Sequence, residues 1–336
     1  MSADLVGRHA APETSDPETT QLENSPPKSS PPEKPQPGTA QPLAAEEPGG
    51  QFLRITPGWL VATVFAWLVT TVVALSLVVY ALGPMLEAGD QREALTRIRA
   101  EMDRAYGASQ SLFGSQAPTR PVEVGAPVAV LEIPKLKLQQ VVLEGVSSGE
   151  TASGPGHVPG TSGPGQPGNS ALVGRYSGYG APFGSLSTLV NGDEIVVATT
   201  QGRSVYRITG TASRPLDESA DYGKTDNDRL TLVTSSSWWP LASQQATVVT
   251  AVLEGKPFRP TPQNGRADAQ DGRTGDTGAW AGLALAFGGF VLAAAGATVL
   301  YRRWRPVSTY VITGPVLVTL AALAALALWR MFPAWA

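Results

Sequence analysis

The 336-residue chain contains no cysteine. This absence excludes disulfide bonds, thiolate metal sites, iron–sulfur clusters and a thiol nucleophile. Its only histidines are His9 and His157, too few for a histidine-rich metal site, and they argue strongly against a histidine-dependent catalytic triad. Charged residues make up 16% of the chain and the net charge is −3, which excludes an overall basic nucleic-acid binder. We therefore expect no cofactor, no bound metal and no nucleic-acid partner.

The N-terminal region is rich in proline and poor in basic residues. Residues 1–50 hold ten of the 29 prolines, and eight acidic residues are accompanied there by only three Lys or Arg. A segment without apolar periodicity cannot bury enough surface to offset its ordering entropy. It also lacks the Arg-rich start of a signal or transit peptide. The sequence predicts a disordered, Pro-rich tail over residues 1–56.

Long apolar runs occur three times in the chain. The uncharged runs are Trp59 to Leu82, Ala279 to Tyr301 and Pro306 to Trp329. Each is long enough for a membrane-spanning helix, which needs about 20 residues. We predict transmembrane helices over residues 57–84, 279–301 and 306–330. The alternative for the last two is a buried hairpin of a soluble domain, which their length and Ala/Leu/Val content disfavour.

Charges flanking these runs indicate the orientation in the membrane. The loop at residues 302–305 reads Arg-Arg-Trp-Arg, and short basic loops are typically cytoplasmic. Arg54 before the first run and Glu87 after it favour the same topology. We predict a multi-pass protein of the cell membrane, with its N-terminal tail in the cytoplasm and the region between the first two spans outside the cytoplasm.

The region between the first and second spans has three parts. In residues 85–121, Leu95, Ile98 and Met102 recur at helical spacing, which predicts a helical stalk. The end of this segment is rich in Ser, Pro and Gly, which predicts a linker. Residues 122–254 consist of short Val/Ile-rich runs bounded by Gly, Pro and Asn-Gly. Seven or eight such runs predict a mainly β domain, either a barrel or a sandwich. Residues 255–278 are a second polar linker.

Four stretches of the β domain resemble the sortases, most closely the class E type of high-GC Gram-positive bacteria (actinobacteria). They are Leu131 to Leu138 with Val142 to Gly145; Gly154 to Thr161 with Pro167 to Asn169; Tyr179 to Phe183 with Leu189 to Ile195; and Leu230 to Thr234. They occur in the family's order. The resemblance implies an eight-stranded sortase β-barrel. It also implies a membrane-anchored transpeptidase of the cell envelope, which cuts sorting signals such as LPXTG or LAXTG and joins the acyl group to an amine.

The resemblance also shows where the family's catalytic residues would stand. The family's nucleophilic Cys follows the strand that ends here at Thr234, and this chain has Ser235 at that position. The catalytic His follows a Val-Gly or Ala-Gly pair, and Arg175 follows Val173-Gly174. The catalytic Arg opens the final strand, where the chain has Ala246.

These substitutions favour a catalytically inactive member, a pseudosortase. A serine hydroxyl needs a general base, and Arg175 is always charged and cannot accept a proton. Ala246 cannot stabilise an oxyanion. The first alternative is a divergent transpeptidase that uses Ser235 as its nucleophile, with His157 or Lys224 as the base. The second is a scaffold in which only the spans and the tail act.

A binding role then becomes the leading hypothesis for the site. Trp238 and Trp239 are adjacent aromatic residues beside the altered positions, and tryptophans are enriched in binding hot spots, although one of the pair could pack on the barrel rim. Arg175 could bind a carboxylate in bidentate fashion. The candidate binding residues are Arg175, Ser235, Trp238, Trp239, His157 and Tyr179. The expected partner is a cell-envelope protein or a peptide resembling a sorting signal.

One acidic cluster was considered as a calcium site. Asp221, Asp226 and Asp228 lie near Lys224, but their spacing matches no known calcium loop. We predict a solvated acidic loop there.

Overall fold

The computed structural model describes residue 73 and residues 76–109, 119–217, 221–239, 245–265, 272–303 and 306–335. The predicted tail, most of the first predicted span and residues 110–118 of the first linker lie outside the described residues. So do residues 240–244, next to the predicted site, and residues 304–305 of the basic loop.

The β domain is a closed eight-stranded barrel. Its strands are β1 (Pro127–Ile133), β2 (Leu138–Glu144), β3 (Gly156–His157), β4 (Asn169–Val173), β5 (Glu194–Thr199), β6 (Gly202–Arg214), β7 (Arg229–Ser235) and β8 (Ala246–Glu254). Around the barrel the order is β1-β2-β3-β4-β7-β8-β6-β5. The β2/β3 and β4/β7 pairs are parallel, and the other pairs are antiparallel. The predicted barrel is confirmed.

The barrel interior follows from the alternation of side chains along each strand. In β1, buried Ala129, Leu131 and Ile133 alternate with half-buried neighbours, so these three side chains point inward. They pack with Leu172, Leu232 and other residues from every side of the barrel. The opposite face of β4, β7 and β8 carries a second buried cluster, which forms the floor of the site described below.

A long helix leads into the barrel. A π-helix at Val78–Leu82 continues into α1 (Gly83–Ser109), and a short helix α2 (Glu150–Ser153) follows β2. Ile98 and Met102 of α1 are buried against Val141 and Leu143 of β2. The helix predicted from the spacing of Leu95, Ile98 and Met102 is therefore present, and its apolar face packs on the barrel.

Two apolar helices close the described chain, α3 (Ala279–Arg303) and α4 (Pro306–Arg330). Within them, Ala279–Leu300 and Val311–Arg330 have mean hydropathies of 2.1 and 2.3. Both segments are long and apolar enough to cross a membrane. Only 11% and 22% of these windows are buried within the protein, unlike core helices of a soluble domain. Two of the three predicted spans are therefore found as candidate membrane helices, while the first lies mainly outside the described residues.

The two apolar helices form an antiparallel hairpin with both outer ends near the barrel. Gly282 lies against Ala327 and Gly289 against Leu320, so the helices run in opposite directions. The amide of Asp276, just before α3, donates to the carbonyl of Arg330 at the end of α4. The ends that flank residues 304–305 therefore lie at the opposite end of a hairpin about 37 Å long, from 25 residues at 1.5 Å each.

Candidate functional site

Three adjacent strands bring together the positions that sequence analysis singled out. Strands β4 and β7 pair in parallel with Val173 opposite Val233, and this register places Arg175 beside Ser235 two residues further on. Ser235 is itself paired with Ala246 at the start of β8. Arg175, Ser235 and Ala246 therefore meet at one end of the β4-β7-β8 sheet.

These three side chains share one face of the sheet. Successive residues of a strand point to opposite faces, so Arg175 and Ser235 lie on the side of Val173 and Val233 rather than in the barrel interior. Val173, Val233 and Ala246 all belong to the second buried cluster. We call this outer surface of β4, β7 and β8 the groove, with Val173, Val233 and Ala246 on its floor.

The groove is lined by fully buried polar and charged groups. Arg175 and Ser235 are both 0% exposed. The Nη2 of Arg175 donates to the carbonyl of Ser148 at 3.0 Å and contacts its Oγ at 2.9 Å. Among the described residues, Nε and Nη1 of Arg175 have no hydrogen-bond partner. A buried guanidinium with two unpaired nitrogens is an electrostatically costly arrangement.

Burial lowers the pKa of the Arg175 guanidinium to about 10, and the nearby Tyr179 partly opposes this shift. Even with this pKa, Arg175 keeps its charge at neutral pH and has no lone pair to accept a proton. The Ser235 hydroxyl donates to the carbonyl of Ser237 at 2.8 Å and accepts the amide of the same residue at 3.1 Å. At neutral pH, Arg175 therefore cannot activate this hydroxyl as a general base.

Tyr179 contributes an aromatic wall through a strained turn. Its ring lies 5.1 Å from the Arg175 guanidinium carbon and 6.5 Å from the Trp329 ring. Tyr179 and Ala181 have φ values of 42° and 46°, and both flanking glycines are also left-handed, which L residues adopt at a cost of about 1–2 kcal/mol each. The Gly178 carbonyl accepts the Ala181 amide at 2.7 Å, which holds the turn closed. Burial raises the pKa of Tyr179, so its hydroxyl stays protonated at neutral pH.

Trp238 and Trp239 lie at the rim of the site and are largely open to solvent. They are 63% and 50% exposed, and their rings form an edge-on pair with centroids 5.6 Å apart. The carbonyl of Trp238 accepts the Ser177 hydroxyl at 3.4 Å, which connects the pair to the loop after Arg175. Exposure of this size disfavours packing of both rings on the barrel rim, and leaves the pair available for contact.

His157 belongs to a different cluster. Its Nδ1 lies 2.8 Å from Glu144 Oε2, and its Nε2 lies 2.9 Å from the Ser162 carbonyl and 3.1 Å from the Thr161 hydroxyl. Both ring nitrogens are therefore occupied, and His157 and Glu144 line a separate cavity of about 60 Å³ with Gln166 and Gln201. The structure does not place His157 where it could act as a base for Ser235.

The acidic residues considered as a calcium site are also used otherwise. Asp221 is 2% exposed and makes two bonds to Arg214, at 2.9 and 2.5 Å. Asp228 accepts the amide of Gly168 at 2.8 Å. The prediction of a solvated loop is wrong for Asp221, because Arg214, seven residues earlier at the end of β6, supplies its counter-charge.

A feature that the sequence did not indicate covers the groove. Trp335 is 1% exposed and packs on the groove floor with Val146, Val173 and Val248. Its carbonyl accepts amides from Tyr176 and Ser235. The sequence by itself predicts no contact for residues 331–336, because no periodicity or motif indicates that a single tryptophan packs on a distant surface.

A comparison with known protein families identifies the nature of the barrel. Residues 131–254 match the family model of the sortase domain. This part of the chain is a sortase domain. No curated protein matches the chain significantly.

Several solved sortases are similar to this domain. Sortase D5 of Clostridium perfringens is 19% identical, with a TM-score of 0.41, covering 50% of this chain and 99% of the solved one. Sortase E of Streptomyces avermitilis is 28% identical (TM-score 0.35; 40% and 93% covered). Sortase E1 of Streptomyces coelicolor, solved with a tripeptide in its active site, is 24% identical (TM-score 0.36; 40% and 91% covered). The assignment of the sortase domain depends on the family model and the strand order, because these TM-scores are below 0.5.

Proposed function

We propose that this protein is a membrane-anchored pseudosortase of the class E type, which binds a peptide or protein partner of the cell envelope and does not transfer acyl groups. The observation that carries the proposal is Arg175, a buried cation beside Ser235 at the position of the family's histidine. A group that cannot accept a proton cannot serve as the general base that a serine nucleophile requires.

The same arginine supports a binding role. Two of its guanidinium nitrogens have no hydrogen-bond partner among the described residues, although the side chain is fully buried. A carboxylate or a pair of peptide carbonyls would satisfy them, and planar two-point binding is the geometry that a guanidinium favours. The exposed pair Trp238 and Trp239 adds an apolar contact surface at the rim.

The helical hairpin supports the proposed topology. The outer ends of α3 and α4 lie near the barrel, whereas the ends flanking the basic residues 302–305 lie about 37 Å away. If the basic loop is cytoplasmic, as short basic loops are, then the barrel lies on the other side of the membrane. The hairpin geometry therefore supports a groove on the cell-envelope side.

The direct test is a reaction of the full chain in detergent with LPXTG- and LAXTG-type peptides and an amine acceptor. Intact-mass spectrometry follows the acyl adduct and the transpeptidation product, and we expect neither. An adduct that forms in the native chain and is lost in Ser235→Ala would overturn the proposal in favour of a serine-dependent transpeptidase.

Binding is measured with the same peptides carrying a photo-crosslinker. We expect cross-linking to the chain to fall at least tenfold in Arg175→Ala and severalfold in Trp238→Ala, because each removes a groove or rim contact. Arg203→Ala is the matched control, since Arg203 is exposed on β6. Equal cross-linking in all variants would favour a scaffold in which the groove has no role.

A further inference from the structure

The chain beyond α4 turns back onto the barrel. Helix α4 ends at Arg330, and the amides of Met331 and Phe332 then donate to the carbonyls of Leu328 and Trp329 in a closing turn. We call residues 331–335 the covering segment. Trp335, at its end, is among the largest fully buried side chains that the structure describes.

The backbone of Trp335 is bonded at the ends of the site strands. Its carbonyl accepts the amide of Tyr176 at 3.0 Å and the amide of Ser235 at 3.3 Å. Tyr176 lies just after strand β4, and Ser235 is the last residue of strand β7. One carbonyl therefore bridges the ends of the two strands that position Arg175 and Ser235. Main-chain bonds of this kind are how an extended peptide is held against free strand ends.

The indole of Trp335 occupies an apolar floor. It belongs to one buried cluster with Ala171, Val173, Val233, Ala246 and Val248 of the site strands. Its Nε1 has no hydrogen-bond partner among the described residues, so the ring is held by apolar contact and by the Arg273 guanidinium, whose Cζ lies 5.8 Å from the ring centroid. Ala246, in the position of the family's arginine, is one of the residues that make room for this ring.

The covering segment is also coupled to Arg175. The Ser148 hydroxyl donates to the Phe332 carbonyl at 3.3 Å, and the same serine accepts Arg175 Nη2. Trp329, at the end of α4, contacts Tyr179, which in turn lies over Arg175. The chain beyond α4 therefore contacts the groove floor, the aromatic wall and the serine that orients the buried cation.

A second strip of chain, residues 272–276, lies over the covering segment. The Gly272 carbonyl accepts the Trp335 amide at 3.0 Å, and the Asp276 amide donates to Arg330 at 2.7 Å. At Gly275 a Cβ would lie only 1.9 Å from the Met331 carbonyl oxygen, so this position has no room for any side chain. An open cleft of about 590 Å³ adjoins the strip and is lined by Ser148, Gly275 and Asp276 among others.

We propose that the covering segment is an intramolecular ligand of the groove, and that a peptide partner reaches Arg175 and Ser235 only when Trp335 leaves. This inference rests on the proposed function and adds the chemistry of the ligand. The groove would bind an extended peptide that carries an aromatic anchor, as the covering segment does. Because α4 tethers the segment, its effective concentration at the groove is of the order of millimolar, and a partner must compete with it. The adjoining cleft gives such a partner a place to bind first.

The first test uses the absence of cysteine from the chain. A thiol introduced by Ser235→Cys in the full chain, in detergent, is the only one present, and its rate of reaction with a maleimide measures access to the groove. We expect Trp335→Ala and Gly275→Ala each to raise this rate at least tenfold. The matched controls are Trp280→Ala, an exposed tryptophan on α3, and Gly288→Ala, where a Cβ meets nothing within 4 Å.

Partial unfolding would also expose the thiol, and a second reporter separates the two causes. Ala251→Cys places a thiol in the barrel interior, away from the groove face. Release of the covering segment raises the rate at position 235 alone, whereas unfolding raises both rates. The proposal is overturned if the rate at position 235 is the same in the native background and in both variants, or if it rises only together with the interior rate.

The second test measures competition with a labelled peptide of sequence Met-Phe-Pro-Ala-Trp-Ala, which copies residues 331–336. We expect it to bind Trp335→Ala and Gly275→Ala at least tenfold more tightly than the native chain and the two controls. Equal binding to all forms, or binding to none, contradicts an exchangeable ligand.

Sorting-signal peptides in the same assay separate this inference from the proposed function. If they bind the native chain and Trp335→Ala equally well, the groove binds partners but the covering segment does not control access. If the copied peptide shows the expected competition and no sorting-signal peptide binds any form, the intramolecular ligand stands and the proposed partner class fails.

Discussion

His157 and Arg175 are both buried basic side chains of the same barrel, and they differ in how their polar atoms are satisfied. Both ring nitrogens of His157 have partners, and one of these is the carboxylate of Glu144. Arg175 has two unpaired nitrogens among the described residues, and its bonded partner is the neutral Ser148. The two side chains are equally buried, but we expect different roles for them. His157, with both nitrogens bonded, stabilises the fold, whereas Arg175, with two nitrogens unpaired, is retained at a cost to stability.

The largest expected effect comes from breaking the histidine cluster. Glu144→Leu keeps the approximate volume but removes the acceptor of His157 Nδ1, which leaves a buried donor unpaired. We expect the free energy of unfolding to fall by about 3 kcal/mol. Thermal unfolding followed by tryptophan fluorescence measures this change.

The exposed pair Arg207–Glu254 is the control for that measurement, since both side chains are nearly half exposed. Glu254→Leu should leave the free energy of unfolding nearly unchanged, because solvent screens an exposed ion pair. If Glu144→Leu has an effect as small as this, the His157 cluster does not stabilise the fold and the contrast with Arg175 is lost.

A smaller effect of opposite sign is expected at Arg175. Arg175→Met removes a buried charge to which the described residues bond no carboxylate, and keeps most of the apolar contact with Tyr179. We expect the free energy of unfolding to rise by about 1 kcal/mol, while partner binding is lost. Arg203→Met, on the exposed face of β6, should change neither quantity. A loss of more than about 2 kcal/mol in Arg175→Met would mean that this arginine is structural, like His157.

The smallest effect is expected at Glu87, which is 5% exposed and lies against the Tyr179 turn. Burial raises the pKa of its carboxyl above the ordinary 4.5, a shift that a hydrogen bond from Gln140 partly opposes. The stabilising, protonated form is present below pH 4.5 and is lost as the pH rises through the raised pKa.

Glu87→Gln should therefore raise the free energy of unfolding at pH 7 by less than about 1 kcal/mol and leave it unchanged at pH 4. The midpoint of thermal unfolding, measured at both pH values, should shift in the same way. Glu101→Gln, exposed on the same helix, should have no effect at either pH. A gain that is equal at both pH values would show that the carboxyl charge is not the cause.

Much of the fold could be predicted because it depends on local patterns. Alternating Val/Ile-rich runs, such as the one around Leu131, fix strands and their buried face, and the Asn-Gly at residues 191–192 fits a turn. The two-residue strand β3 was not predicted, since two residues have no period to detect. The apolar face of α1 was predicted, but its packing on β2 was not, because a helical stripe does not specify its partner.

The candidate site could be predicted only in part. The positions of Arg175, Ser235 and Ala246 came from motifs, and the register of β4, β7 and β8 places them side by side. His157 was grouped with them because its segment resembles a loop near the substrate groove, and the structure bonds it elsewhere. Whether a residue of a motif lies in the site or is bonded elsewhere depends on the direction of its side chain, and a sequence motif does not encode that direction.

By itself, the sequence determined the chemistry that is absent and the order of the parts. It has no cysteine, an arginine after the Val173-Gly174 pair, a series of short Val/Ile-rich runs, and apolar runs after them. Only the tertiary structure decided that Arg175 is buried with two guanidinium nitrogens unpaired among the described residues, and that Trp335, 160 residues further along the chain, packs on the groove floor. The physical reason is that local periodicity fixes which face of an element is apolar, whereas the contact between two distant apolar surfaces is settled when the folded chain brings them together.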